Sequence, residues 1–197
     1  MREMTELEFR QSVKQDPYNL FLKRNRRNTP RSAYNCGGFA LNVYDWICPY
    51  IQTDDYAGPI LDGMYTDDER MSYIIDLINE GWDREYIEEE ILRYDVNFLL
   101  DEYPFLEPVN LEDCAPSDFV IAYRIFINID EDLGVVEDED FHFKIRINGF
   151  WFEKMGSDSI RLCQLDADEP WYVNDLTQYT SRIEYFIPRR SYYGKIK

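Results

Sequence analysis

The chain has 197 residues, of which 39 are acidic and 21 basic, giving a formal net charge of −18 at pH 7. That charge makes nucleic-acid backbones and anionic membranes poor partners, and leaves a basic protein as the macromolecular partner that would fit. Hydrophobic content of 45% with 16% aromatics excludes a disordered chain, and the length suits one domain spanning 1–197.

No apolar run reaches membrane length, and the opening Met1-Arg2-Glu3-Met4-Thr5-Glu6 lacks a signal-peptide core, so a cytoplasmic protein is expected. Cys36, Cys48, Cys114 and Cys163 contain no CxxC pair. They form neither a zinc ligand set nor a disulfide framework, so reduced thiols with no metal and no cofactor are expected.

Residues 5–15, with Leu7, Phe9 and Val13, predict a short surface helix. The cluster Lys23-Arg24-Asn25-Arg26-Arg27 is the local positive patch, best matched to the protein's own carboxylates. Next comes Tyr34-Asn35-Cys36-Gly37-Gly38-Phe39-Ala40-Leu41, in which Cys36, Phe39, Ala40, Val43 and Ile47 share one helical face. Asn35 is an N-cap residue, so Cys36 falls in the first turn of a helix expected to run to about Ile47 and stop before Pro49. Free N–H groups and the helix dipole favour a thiolate there. Gly37 and Gly38 are unfavourable inside a helix and imply close approach of another backbone or of a substrate. Alone, such a cysteine reads as structural.

After a loop with Gly58, Pro59 and Gly63, Thr66-Asp67-Asp68-Glu69 is a capping box that starts a helix with a Met71, Ile74, Ile75, Ile78, Trp82 stripe. Gly81 ends it and Asp83 caps a second helix, whose apolar positions are Ile87, Ile91, Tyr94 and Phe98. Glu88-Glu89-Glu90 is expected on its solvated outer face. From Ser117 the period becomes two. Phe119 to Ile127 reads as a central strand, and residues 141–147 alternate Phe141, Phe143, Ile145 and Ile147 with His142, Lys144 and Arg146. Asn148-Gly149 is a type I′ hairpin signal, and further strands are expected at 159–163 and 183–188. The fold class is therefore α+β, with an antiparallel sheet and a helical pair at about 66–102 as an insertion. Asn128, Asp130, Asp132 and Glu139 have the spacing of a calcium loop, but Leu133 stands where glycine is needed and the flanks read as strands. The stretch reads better as an acidic strand connection.

His142 is the sole histidine. With Asn148-Gly149 as a two-residue turn, Ile147 faces Phe150 and Lys144 faces Glu153, so Glu153 is a diagonal neighbour of His142. A thiol at a helix start, an imidazole on a strand and a carboxylate on the partner strand are the parts of a nucleophile–base–orienter set. The backbone N–H of Cys36 is one oxyanion donor, with the Asn35 and Tyr34 side chains as the two candidates for the second.

Together, Asn35-Cys36-Gly37-Gly38-Phe39-Ala40-Leu41-Asn42, Asp140-Phe141-His142-Phe143, Trp151-Phe152-Glu153-Lys154-Met155-Gly156 and Tyr185-Phe186-Ile187-Pro188 resemble papain-like NlpC/P60-type cysteine hydrolases, in a bacterial and phage-associated branch. The resemblance covers roughly residues 31–190. It implies a papain-like fold, Cys36 as nucleophile, His142 as base, Glu153 as third residue, and a peptide or other amide-containing substrate cut at an amide or isopeptide bond through a thioester. The rival reading, carried by the charge of −18, is a non-enzymatic acidic protein that binds a basic partner or mimics nucleic acid on a degenerate papain-like fold.

Overall fold

Residues 34–41, 46–54, 58, 64–130, 133–156, 160–163, 171 and 178–188 are described by a computed structural model. The helix expected at 5–15 and the cluster Lys23–Arg27 lie outside them, as does most of the Gly58–Gly63 loop. Three α-helices come first among the described residues: α1 (Cys36–Ala40), α2 (Asp67–Asn79) and α3 (Arg84–Glu102). Six strands follow: β1 (Leu106–Pro108), β2 (Val120–Asp130), β3 (Val135–Ile147), β4 (Phe150–Glu153), β5 (Arg161–Cys163) and β6 (Glu184–Pro188). They make one antiparallel sheet in the order β1-β6-β2-β3-β4-β5. The expected α+β class with helices before an antiparallel sheet is what the chain adopts; the short edge strand β1 was not expected.

The centre of the sheet is the long β2–β3 hairpin, with Tyr123 opposite Phe143 and Ile121 opposite Ile145. β3 turns into β4 through Asn148 (φ 52°) and Gly149 (φ 84°), the two positive φ values that a type I′ turn requires. The alternation of β3 then sorts its residues. Phe143, Ile145 and Ile147 join Ile121, Tyr123, Ile125 and Ile127 in the main core. The opposite face carries a second cluster of Val120, Ala122, Phe126, Trp151, Trp171 and Tyr179.

The helical pair covers the first face. Thr66 caps α2 by accepting from Glu69 N at 3.1 Å, and Asp83 caps α3 by accepting from Tyr86 N at 2.8 Å. Ile74, Leu77, Ile87, Ile91, Leu92 and Leu99 from α2 and α3 enter the same core as the strands. The pair expected at 66–102 is thus part of the central packing. Its facing differs from the expected stripes, because Ile75, Trp82 and Tyr94 are exposed while Arg70, Glu88 and Asp95 are buried. Glu88 is 5% exposed, against the expectation of a solvated outer face. Its carboxylate is held by the Thr180 hydroxyl, Arg84 and the Ile127 N–H (3.3 Å), which satisfy the charge inside.

A second buried carboxylate ties helices to sheet. Asp95 is fully buried and forms a two-pronged pair with Arg70 (3.1 and 3.3 Å), accepting also from Tyr65 (2.6 Å) and Tyr123 (2.9 Å). Arg70 pairs as well with Glu139 of β3. Burial raises the pKa of Asp95, with Arg70 and the two hydroxyls opposing it. Glu139 is the residue at the twelfth place of the calcium-like spacing. Asn128 donates to Glu137 (2.7 Å), and Asp130 Oδ1 accepts from Leu133 N (2.9 Å) in the β2–β3 connection. The stretch is a strand connection, as the sequence favours. Among the described residues no group of three or more His, Cys, Asp or Glu could hold a metal ion, and no helix is long and apolar enough to cross a membrane.

Breaking the Arg70–Asp95 pair from one side strands a buried charge. Asp95→Ala is expected to lower unfolding stability by about 3 kcal/mol or more, read from the urea midpoint. The double variant Arg70→Met/Asp95→Leu should lose less than Asp95→Ala alone.

Candidate active site

The site begins at Asn35. Its Oδ1 accepts from Gly38 N (3.0 Å), capping α1 as expected, and also from Ile47 N (3.0 Å), while its Nδ2 donates to the Ile47 carbonyl (2.8 Å). The side chain therefore behaves like a strand partner for Ile47. This explains why α1 ends at Ala40 and does not run to Ile47 as expected: Ile47 lies outside the helix, drawn back to its start. It also explains Gly37. A Cβ there would lie 2.8 Å from the Ile47 carbonyl oxygen, so the close backbone approach inferred from the glycines is made by Ile47. A five-residue helix has little macrodipole, which shifts the burden of stabilising an anion at Cys36 onto side chains.

β4 pairs with β3 only from Ile147↔Phe150 to Lys144↔Glu153, and α1 packs against β3. The register equals the one counted from the turn, and it makes Glu153 the diagonal neighbour of His142. Glu153 Oε2 lies 3.1 Å from His142 Nε2. The Cys36 thiol acts on the same imidazole, as one of the groups that raise its pKa. With Nε2 held by the carboxylate, Nδ1 is the ring nitrogen left for the thiol. Three residues distant in sequence are thus gathered, all buried: Cys36 5% exposed, His142 2% and Glu153 6%.

The surroundings bias the imidazole toward its charged form. Burial lowers the pKa of His142, but hydrogen bonds to Cys36 and Glu153, with their coulombic attraction, outweigh it and bring the group from 6.5 to about 9. The charged ring therefore stabilises the fold fully below about pH 6.5, and that contribution is lost as the pH rises through about 9.

Lys144, on the same face of β3, places Nζ 3.5 Å from Glu153 Oε2, so one carboxylate oxygen serves both cations. Trp171 and Tyr179 enclose the imidazole, with ring centres 5.9 and 5.8 Å from it. Tyr179 is fixed by donating its hydroxyl to Asp140 Oδ2 (2.5 Å) and its N–H to the Trp171 carbonyl (2.8 Å). Nothing periodic in the sequence marks Trp171 or Tyr179. Lys144 was visible in the alternation, and its cross-strand pairing with Glu153 follows from the register of β3 and β4. Of the two candidates for a second oxyanion donor, Asn35 directs its amide to Ile47, and Tyr34 is buried with its ring 4.8 Å from Lys154 Nζ.

Compared with protein-family models, curated proteins and solved structures, the chain matches none of them.

With a single histidine, the ring can be followed directly by NMR. His142 is expected to titrate near pH 9, and Glu153→Gln or Cys36→Ser should lower that midpoint by about one unit or more. In parallel, Gly37→Ala should destabilise the protein by about 1–3 kcal/mol, since Ile47 must shift to admit a methyl group.

Proposed function

We propose that this protein is a papain-like cysteine hydrolase of the NlpC/P60 type, cleaving an amide or isopeptide bond through a thioester. The observation that carries the reading is a buried imidazole held by the Glu153 carboxylate at 3.1 Å, with the buried Cys36 thiol among the groups that raise its pKa. A structural cysteine needs neither partner, and a carboxylate that orients the base is the third part that such chemistry requires.

In the proposed cycle the Cys36 thiolate attacks the carbonyl carbon, and the carbonyl electrons move to oxygen. The backbone N–H of Cys36, which the Asn35 cap does not take, is assigned as a donor to that oxyanion. His142 passes its proton to the departing amine, leaving a thioester on Cys36. Water then attacks the thioester with His142 as base, and the acid is released with the thiol restored. Glu153 holds the ring by Nε2 and stabilises its positive form. Tyr34 and Asn35 act as support, Asn35 by fixing the helix start.

Alkylation by iodoacetamide at pH 6 tests the reading without knowledge of the substrate. Cys36 should react about tenfold or more faster than Cys48, Cys114 and Cys163, and His142→Ala should remove the advantage. Glu153→Gln is expected to shrink it while retaining the fold. If Cys36 is no faster than an ordinary thiol and His142→Ala changes nothing, the hydrolase reading fails and the acidic binding protein takes its place.

A further inference from the structure

Glu153 is not reserved for His142. Its Oε2 lies 3.1 Å from His142 Nε2 and 3.5 Å from Lys144 Nζ, so one oxygen stands between two nitrogens that carry positive charge. Lys144 follows His142 on the same face of β3 and sits directly opposite Glu153 of β4. It is buried, although a lysine on a sheet ordinarily runs its stem outward and leaves the ammonium in water. Two contacts hold Nζ inside: the carboxylate, and the Trp171 ring, whose centre is 4.4 Å away. The same Trp171 stands perpendicular to the imidazole, with ring centres 5.9 Å apart. Carboxylate and indole thus fix the ammonium beside the imidazole.

Burying an ammonium is costly, and a carboxylate that only orients an imidazole needs no second cation. Lys144 draws on the charge of Glu153 and repels positive charge on the ring, and both effects favour the neutral imidazole. The other charged groups around His142 are placed differently. Arg124 lies directly across on β2, but its Nε donates to the Ser181 carbonyl (2.5 Å). Asp140 of β3 accepts from the Tyr179 hydroxyl (2.5 Å). Cys36 of α1 and Glu153 of β4 are the groups that favour the charged ring. The pull of Cys36 lasts only while its sulfur is free. Once the sulfur carries an acyl group, Glu153 acts alone and Lys144 opposes it.

We propose that Lys144 is a positioning residue of the hydrolase, sharing Glu153 with His142 so that the imidazole stays neutral in the thioester and accepts a proton from water. This role rests on the hydrolase reading; the sharing of Glu153 rests on the two distances. In the first half of the cycle the Cys36 sulfur bonds to the carbonyl carbon, the C–N bond breaks, and the proton of His142 goes to the leaving amine. The ring is then neutral. In the second half the oxygen of water bonds to the same carbon, its proton goes to Nδ1 of His142, and the C–S bond breaks. An imidazole that took up a proton from solvent between the halves would have no lone pair for that water. Lys144 protects this interval.

NMR titration of the single histidine tests the sharing in a Cys36→Ser background, which removes the thiolate whether or not Cys36 is reactive. There Lys144→Met should raise the His142 midpoint by about one unit, and Lys144→Arg should leave it near the parent value. With Glu153→Gln added, the rise should shrink to roughly half or less. An unmoved midpoint in Lys144→Met, or a rise as large without the charge of Glu153, overturns the sharing. In the unaltered protein the Lys144 Cε resonance should inflect where His142 titrates, near pH 9, and a resonance with no inflection there overturns it without any variant. The role in the cycle is read from p-nitrophenyl acetate, which would acetylate Cys36. Loss of the acetyl group should reach half its maximal rate about one pH unit higher in Lys144→Met, and an unchanged profile overturns that role. Failure of the hydrolase reading is seen separately, as ordinary reactivity of Cys36 toward iodoacetamide in the unaltered protein.

Discussion

Residue parity along β3 governs this molecule. Odd positions Phe143, Ile145 and Ile147 fill the core beneath α2 and α3, while His142, Lys144 and Arg146 face the other way. A slip of one residue would exchange the two sets, driving the imidazole into hydrocarbon and the phenylalanines out of it. Two devices hold the register: the tight turn at Asn148-Gly149 on one side and the long pairing with β2 on the other. The meeting of His142 with Glu153 follows from that register.

The parts that were legible in the sequence are those set by short-range rules. Caps at Asn35, Thr66 and Asp83 act over three residues, and the turn at Asn148-Gly149 over two. The alternation at 141–147 needs only a sheet with one oily face. What was illegible depends on contacts between distant segments. Ile47 looked helical because its spacing from Cys36 suited a helix, yet Asn35, 12 positions before it, holds it by its backbone. Glu88 looked solvated because its neighbours are acidic, yet Thr180 and the Ile127 N–H wait for it inside. Trp171 and Tyr179 carry no local pattern, and only the folded sheet brings them to His142.

Two polar systems meet on β3. On the core side, Asp95 and Arg70 reach Glu139; on the other, Glu153 and Lys144 gather at His142. Glu139 and His142 belong to the same strand, so the network that fastens the helices also anchors the strand bearing the imidazole. The surplus of negative charge in the chain thus coexists with an interior in which Arg70, Glu88, Asp95, Lys144 and Glu153 are paired locally.

The amide of Asn35 has a consequence for how the protein comes apart. It ties Asn35 to Ile47 by two hydrogen bonds and caps α1 by a third, beside the burial of Phe39, Leu41 and Ile47 in the main core. Such a clasp draws its strength from peptide-like groups, and these are what urea solvates directly. Yet Cys36, Phe39, Leu41 and Ile47 lie in the same core as the sheet and the helical pair, so this corner is expected to come apart together with them and not before.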